Sequence, residues 1–196
     1  RFAVGDGADI ASTVSSVVLA GQVSSGKQFG LPLFLAVSIF MQMLDVTILN
    51  TALPAIAQDF QQPVMTMQSA VVSYVLTVAV CIPLTSYLSD RFGTRRMFIW
   101  AMSLFGLGSL LCALAGSLSA LVAARVVQGL GGALLTPVAR LVLMRRFQGP
   151  VLLRALNYAV MPALMGPLLG PLLGGYLVEQ ASWHWIFLMN LPFVVL

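Results

Sequence analysis

Long apolar intervals broken by short polar ones organise this chain. Residues 60–89, 97–124 and 155–178 contain no Asp, Glu, Lys or Arg, and each interval exceeds the roughly 20 apolar residues that cross a bilayer. The pattern predicts spans at about 31–53, 66–88, 97–115, 119–142 and 155–178, with a sixth starting at 184. In lipid every backbone polar group must be satisfied within the segment, and unbroken apolar runs of this length can do so only as helices. An all-α integral membrane protein is expected. An outer-membrane barrel does not fit, because its strands alternate in hydrophobicity. Residues 184–196 give the sixth span about 20 Å against a bilayer core of roughly 30 Å, so it reads as truncated. The chain begins at Arg1 rather than Met and stops at Leu196 inside an apolar run, and so reads as part of something longer.

Residues 1–28 differ from the rest. They are rich in Gly, Ser and Ala, and their one apolar stretch, 14–23, is short and broken by Ser and Gly. A mobile or separately packed tail is expected there, without the flanking charge and cleavage site of a signal peptide. Residues 29–196 are expected to hold the helices.

Composition agrees with this reading. The chain is 59% hydrophobic and 8% charged, against roughly 25% charged in a soluble domain. The net charge of +4 comes from basic residues scattered between spans rather than gathered on one polar face, so no nucleic-acid partner is expected. Their placement reports topology instead. Lys27 precedes span 1; Arg91, Arg95 and Arg96 lie between spans 2 and 3; Arg140, Arg145, Arg146 and Arg154 lie at or between spans 4 and 5. Basic residues are retained on the cytoplasmic side in short loops, so the N-terminus is expected there. Cys81 and Cys112 fall inside spans, as small apolar groups without disulfide or metal spacing. No nucleophile with a base appears, so no enzyme is expected.

Charged residues within spans carry the candidate chemistry. Such a side chain is unfavourable by at least a few kcal/mol and marks a pathway, a proton site or a pair. Asp45 and Arg125 qualify, and counting along spans 1 and 4 puts both about 9 Å below the outer edge of the core. They are expected to pair, either as a proton-coupling element or as a static tie between spans. Gln42 lies one turn from Asp45, while Gln128, Gly132, Thr136 and Arg140 continue from Arg125 along one face. This stripe should line a cavity or a close helix contact; Gln42, Asn50, Gln128 and Thr136 are the cavity candidates. In span 5, Gly166, Gly170 and Gly174 recur every four residues with Gly175 beside the last. They offer a smooth face for close packing, and Pro167 and Pro171 remove backbone donors and bend the helix.

Other features have ordinary explanations. Gly129, Gly131 and Gly132 sit inside an apolar helix with no preceding strand, unlike a nucleotide-binding turn. The pairs Met41/Met43 and Met65/Met67 read as flexible apolar filler rather than a soft-metal site. His184, between Trp183 and Trp185, reads as part of an interfacial aromatic belt. No metal site is expected.

Five segments together resemble the major facilitator superfamily, in its 14-span drug:proton antiporter branch of the EmrB/QacA type. Residues 44–54 (LDVTILNTALP) resemble the span 1 motif of that branch, and residues 86–96 (SYLSDRFGTRR) the superfamily's loop between spans 2 and 3. Residues 125–129 (RVVQG) are similar to the proton-coupling motif of span 4, and residues 166–175 (GPLLGPLLGG) to the antiporter motif of span 5. Residues 183–192 (WHWIFLMNLP) resemble the opening of span 6 in the branch's MdtD-like members. One departure is Ser86, where the loop motif usually opens with Gly.

The resemblance implies the N-terminal six-helix bundle of a major facilitator fold, with the sixth helix truncated. It implies proton-coupled efflux of small amphipathic or cationic compounds by alternating access. Asp45 would be the proton-responsive carboxylate and Arg125 its partner. Asp90, Arg91, Gly93, Arg95 and Arg96 would form a conformational latch, and Gly166, Pro167, Gly170, Pro171, Gly174 and Gly175 the antiporter motif. No cofactor is implied, the proton gradient being the energy source. The expected partners are the lipid bilayer, a small-molecule substrate and a C-terminal half; the expected location is a bacterial inner membrane. Two rival readings are a metabolite or sugar facilitator on the same scaffold and a non-transporting membrane fragment.

Overall fold

The structure, a computed structural model, describes residues 30–195. The expected tail, residues 1–28, lies outside the described residues.

Five long helices follow one another: α1 (Gly30–Asp59), α2 (Val64–Phe92), α3 (Thr94–Ala113), α4 (Leu118–Arg146) and α5 (Gly149–Gln180). All five are long and apolar enough to cross a membrane, and the described residues contain no strand. They overlap the expected spans but run further, α1 to Asp59 past the internal Pro54 and α5 from Gly149. The extensions carry polar and charged residues that suit helix ends outside an apolar core. Arg91 in the last turn of α2, and Arg145 and Arg146 in that of α4, sit where the helix dipole favours cations.

The sixth apolar segment departs from expectation. It is two short helices, α6 (His184–Leu188) and α7 (Leu191–Val195), separated by a turn at Met189 and Asn190. Pro192 lacks the N–H that would continue α6, and it is tolerated in the first turn of a new helix.

Local chemistry sets the connections. Gly93 alone joins α2 to α3 at φ 82°, and its N–H closes α2 on the Ser89 carbonyl at 3.0 Å. Glycine takes that left-handed conformation at no steric cost. Ser117 caps α4, its Oγ accepting from the Ala120 N–H at 3.3 Å.

Helix α4 is the centre of the packing because its small residues let neighbours approach. A Cβ on Gly131 would run into the α3 backbone at Ala101 and Phe105, and one on Gly129 into Tyr74 and Thr77 of α2. The glycines of span 4 are thus contact points between helices. Two apolar clusters result. One joins Leu44, Ile48, Ile56, Leu121, Trp183 and Phe187; the other joins Leu35, Ile39, Phe98, Phe105, Val138 and Leu143. Along α1, α3 and α4 the buried polar residues Asp45, Ser109, Arg125 and Gln128 fall at the boundary between these clusters. Helices α2 and α5 are far less covered: Val72, Leu76, Val80 and Leu84 form an exposed stripe on α2, and Leu164, Leu168, Leu172 and Tyr176 one on α5.

Candidate functional site

The polar layer contains the two intramembrane charges, and they meet. Arg125 Nη1 lies 2.7 Å from Asp45 Oδ2, with both residues 1% exposed. The depths inferred from spans 1 and 4 therefore bring these side chains together across the α1–α4 contact. Removing two charges from water costs several kcal/mol per ion, so such a pair persists only where hydrogen bonds complete it.

Those bonds come from four elements. Arg125 Nη1 also donates to Gln128 Oε1 at 2.6 Å. Gln128 sits one turn along α4, and its Nε2 donates to Asp45 Oδ1 at 3.0 Å and to Ser109 Oγ of α3 at 2.8 Å. Asn190, in the turn between α6 and α7, donates through Nδ2 to Asp45 Oδ1 at 2.9 Å and to Ser109 Oγ at 3.1 Å. The carboxylate thus faces three side-chain donors, which fits its ionised form. Above the guanidinium stand two rings, Tyr74 with its centroid at 5.0 Å and Phe187 at 5.4 Å; their π faces attract the cation. Two buried atoms keep unused capacity, Arg125 Nε and Asn190 Oδ1.

The cavity candidates separate by burial. Gln42 is buried, its Nε2 donating to the Gly132 carbonyl at 2.9 Å and its Oε1 accepting from Thr136 Oγ1 at 2.9 Å. The polar stripe of span 4 is therefore a close helix contact at Thr136, which meets Gln42 of α1, and at Gln128, which meets Ser109 of α3. Asn50 is exposed, and its side chain donates to the Val46 carbonyl at 3.3 Å.

At the C-terminal end of α2 lie Asp90 and Arg91 of the expected latch. Asp90 Oδ1 pairs with Arg145 Nη2 at 3.1 Å, both side chains exposed, rather than with the arginines of its own motif. Arg91 instead donates to the Tyr87 hydroxyl at 3.2 Å and lies 5.6 Å from the Phe92 ring centroid. Arg95 and Arg96 are exposed in the first turn of α3, beyond the Gly93 turn. The end of α4 supplies the charge because it packs beside α2.

The span 5 glycines meet α1. A Cβ on Gly166 would contact Met43 and Leu44, one on Gly170 Thr47, and one on Gly174 Ile48 and Thr51. Thr47 Oγ1 lies 3.2 Å from the Gly166 carbonyl it donates to. Gly175 has open space around it, and Pro167 and Pro171 are exposed within an uninterrupted α5.

Sequence reasoning missed several members. Ser109, Tyr74 and Phe187 carry no signal apart from their apolar neighbours. Asn190 did carry one: a lone carboxamide inside an apolar run, two residues before Pro192. Trp183 also departs from the expected interfacial belt. It is buried, donating from Nε1 to Asp59 Oδ2 at 3.1 Å, with the Phe60 ring edge-on at 5.6 Å and the His184 ring stacked at 3.6 Å. Trp185 is the exposed member.

Known proteins agree with this architecture. "Putative multidrug resistance protein MdtD" of Serratia proteamaculans is 51% identical over 157 residues, which are 80% of this chain and 33% of the relative. The proteins of that name from Salmonella paratyphi B and Yersinia enterocolitica are 52% and 51% identical over the same length. The chain thus spans about a third of the length of these relatives. Among solved structures, a bacterial homologue of the human lysosomal transporter Spinster, inward-facing and unoccupied, superposes with a TM-score of 0.69 at 16% identity. That match covers 88% of this chain and 42% of the other, and it shows the fold. The family profile described as Major Facilitator Superfamily matches residues 35–196. With five membrane-length helices packed around a buried ion pair, the chain belongs to the Major Facilitator Superfamily.

Proposed function

We propose that this chain forms the N-terminal half of a proton-coupled exporter of small amphipathic or cationic compounds. The observation that carries the proposal is the dry Asp45–Arg125 pair with its donor shell. An ionisable pair at bilayer depth costs free energy that a purely apolar contact would not, and its two charge states offer a two-state element for a proton to bias. The name of the MdtD relatives supports multidrug compounds as the substrate class. In this mechanism an external proton neutralises Asp45, weakens its hold on Arg125 and shifts the balance between inward- and outward-facing states. Substrate and proton then compete.

The remaining elements take supporting roles. Gly166, Gly170 and Gly174 form the smooth face along which α1 and α5 move. The exposed Asp90–Arg145 pair favours one conformation. The chain sits in a bacterial inner membrane with its N-terminus in the cytoplasm, powered by the proton gradient without a cofactor. A C-terminal half and the bilayer are its structural partners.

The test is pH-gradient dissipation in everted vesicles carrying a full-length protein with this segment, with a panel of lipophilic cations. Drug-induced proton flux in the wild type that vanishes in Asp45→Asn, at equal expression, is the expected result. Full flux in Asp45→Asn overturns the assignment. Flux with sugars or metabolites and none with any cation supports the facilitator reading instead.

A further inference from the structure

The proton-coupling proposal leaves one question open: what holds the carboxyl of Asp45 once it is protonated. Of the three donors facing it in the ionised form, Arg125 and the Gln128 amide nitrogen cannot accept a proton. Gln128 Oε1 already accepts from Arg125 and, at 3.7 Å, from the Cys112 thiol, which uses both its lone pairs. A neutral carboxyl in this dry layer therefore needs an acceptor for its O–H, and a buried O–H left without one carries a desolvation cost.

Asn190 carries that acceptor. Its Oδ1 is buried and has no partner, while its Nδ2 lies 2.9 Å from Asp45 Oδ1. A carboxamide presents an acceptor and two donors on one planar group. Turning the plane by half a revolution about the Cβ–Cγ bond exchanges them. Ser109 fits either orientation, because its hydroxyl accepts from Nδ2 at 3.1 Å before the turn and can donate to Oδ1 after it. The residue sits in the turn that separates α6 from α7. Three residues earlier, Phe187 places its ring over Arg125, so one short segment touches both members of the ion pair.

We infer that Asn190 is a two-state positioning residue for Asp45: its amide donates to the ionised carboxylate, and its carbonyl receives the O–H of the protonated form. This rests on Asp45 being the proton carrier. The bookkeeping is one proton: it joins a carboxylate oxygen, and the amide turns to accept it without any covalent change in Asn190. The ionisable groups around Asp45 are Arg125 from α4, Tyr74 from α2 and Cys112 from α3. Each also touches another member of the layer, whereas the Asn190 carbonyl touches none.

The experiment is infrared difference spectroscopy between acid and alkaline pH on the full-length protein in proteoliposomes, with proton-driven drug export measured on the same samples. The wild type should show a protonated-carboxyl C=O band at acid pH that disappears in Asp45→Asn. Absence of such a band overturns the proton-carrier reading itself. In Asn190→Ala the band should remain but move to higher wavenumber, as its hydrogen bond is lost, and export should fall roughly tenfold, the worth of one hydrogen bond to a charged group. A band in Asn190→Ala identical to wild type overturns the inference while leaving Asp45 as carrier. Should Asn190→Ala not insert, Asn190→Asp keeps the side-chain shape and places a second carboxyl beside the first. Two coupled carboxyls titrate in two separated steps, so a single unchanged step in that variant likewise overturns the inference.

Discussion

Arg125 holds Asp45 and Gln128 through Nη1 and two aromatic faces through its guanidinium, while its buried Nε has no hydrogen-bond partner. Replacing it leaves a carboxylate in a layer with no other cation among the described residues. Removing one member of such a pair costs about 3–5 kcal/mol. Arg125→Met is therefore expected to lower the thermal unfolding midpoint sharply, and adding Asp45→Asn should restore most of the loss, because a neutral amide needs no counter-charge. The deficit of Arg125→Met should also narrow as pH falls and the lone carboxyl takes up a proton. A melting series of the two single variants and the double variant across pH measures all three effects; simple additivity would show the two charges to be independent. The two charges were visible in the sequence because Asp45 is the only charge within span 1, and Arg125 lies deep in span 4 while Arg140, the other charge there, lies near its end. Tyr74 and Ser109 were not, because an aromatic ring or a lone hydroxyl in an apolar helix usually needs no polar partner outside its own turn.

Helix α5 meets α1 through glycines, so side-chain volume there acts on helix separation. Gly170 faces Thr47, where a Cβ already collides, whereas Gly175, a turn further and rotated away, has open space. Gly170→Val is expected to destabilise by about 1–3 kcal/mol, the usual cost of overpacking, and Gly175→Ala to leave the melting midpoint within error. Detergent-solubilised melting curves of the two variants decide it; equal effects would mean that the glycine stripe is not the contact. The four-residue period made this face legible beforehand, as did the charge-free intervals for helices α1 to α5. The break at Met189 and Asn190 was harder to read. Apolar length predicts a helix through it, and only Pro192 and the tertiary call of the polar layer on Asn190 interrupt it. The longer reach of α5 was likewise hidden, because residues 149–154 include Arg154 and lie outside any apolar run.

Across the whole molecule, strong and weak electrostatics lie at different depths. The Asp90–Arg145 pair bridges the ends of α2 and α4 in the open, with side chains 74% and 53% exposed. Exposed pairs are worth about 0–1 kcal/mol and are screened by salt. Arg145→Ala should therefore change unfolding by less than about 1 kcal/mol, with the difference vanishing at high ionic strength. A loss that persists in high salt would mean the arginine acts through packing. What the sequence could not convey is which charges meet: Asp90 and its motif arginines adjoin along the chain, yet its partner comes from 55 residues away, because pairing follows the α2–α4 contact. The stripes on α2, Val72 to Leu84, and on α5, Leu164 to Tyr176, remain uncovered within these residues. In water such faces would have to be hidden at once. Lipid tails are as apolar as leucine, so a nascent chain can dwell in the bilayer with both stripes bare. The order in which ribosomal synthesis delivers the helices therefore imposes no urgency on assembly, and a later segment can dock whenever it emerges.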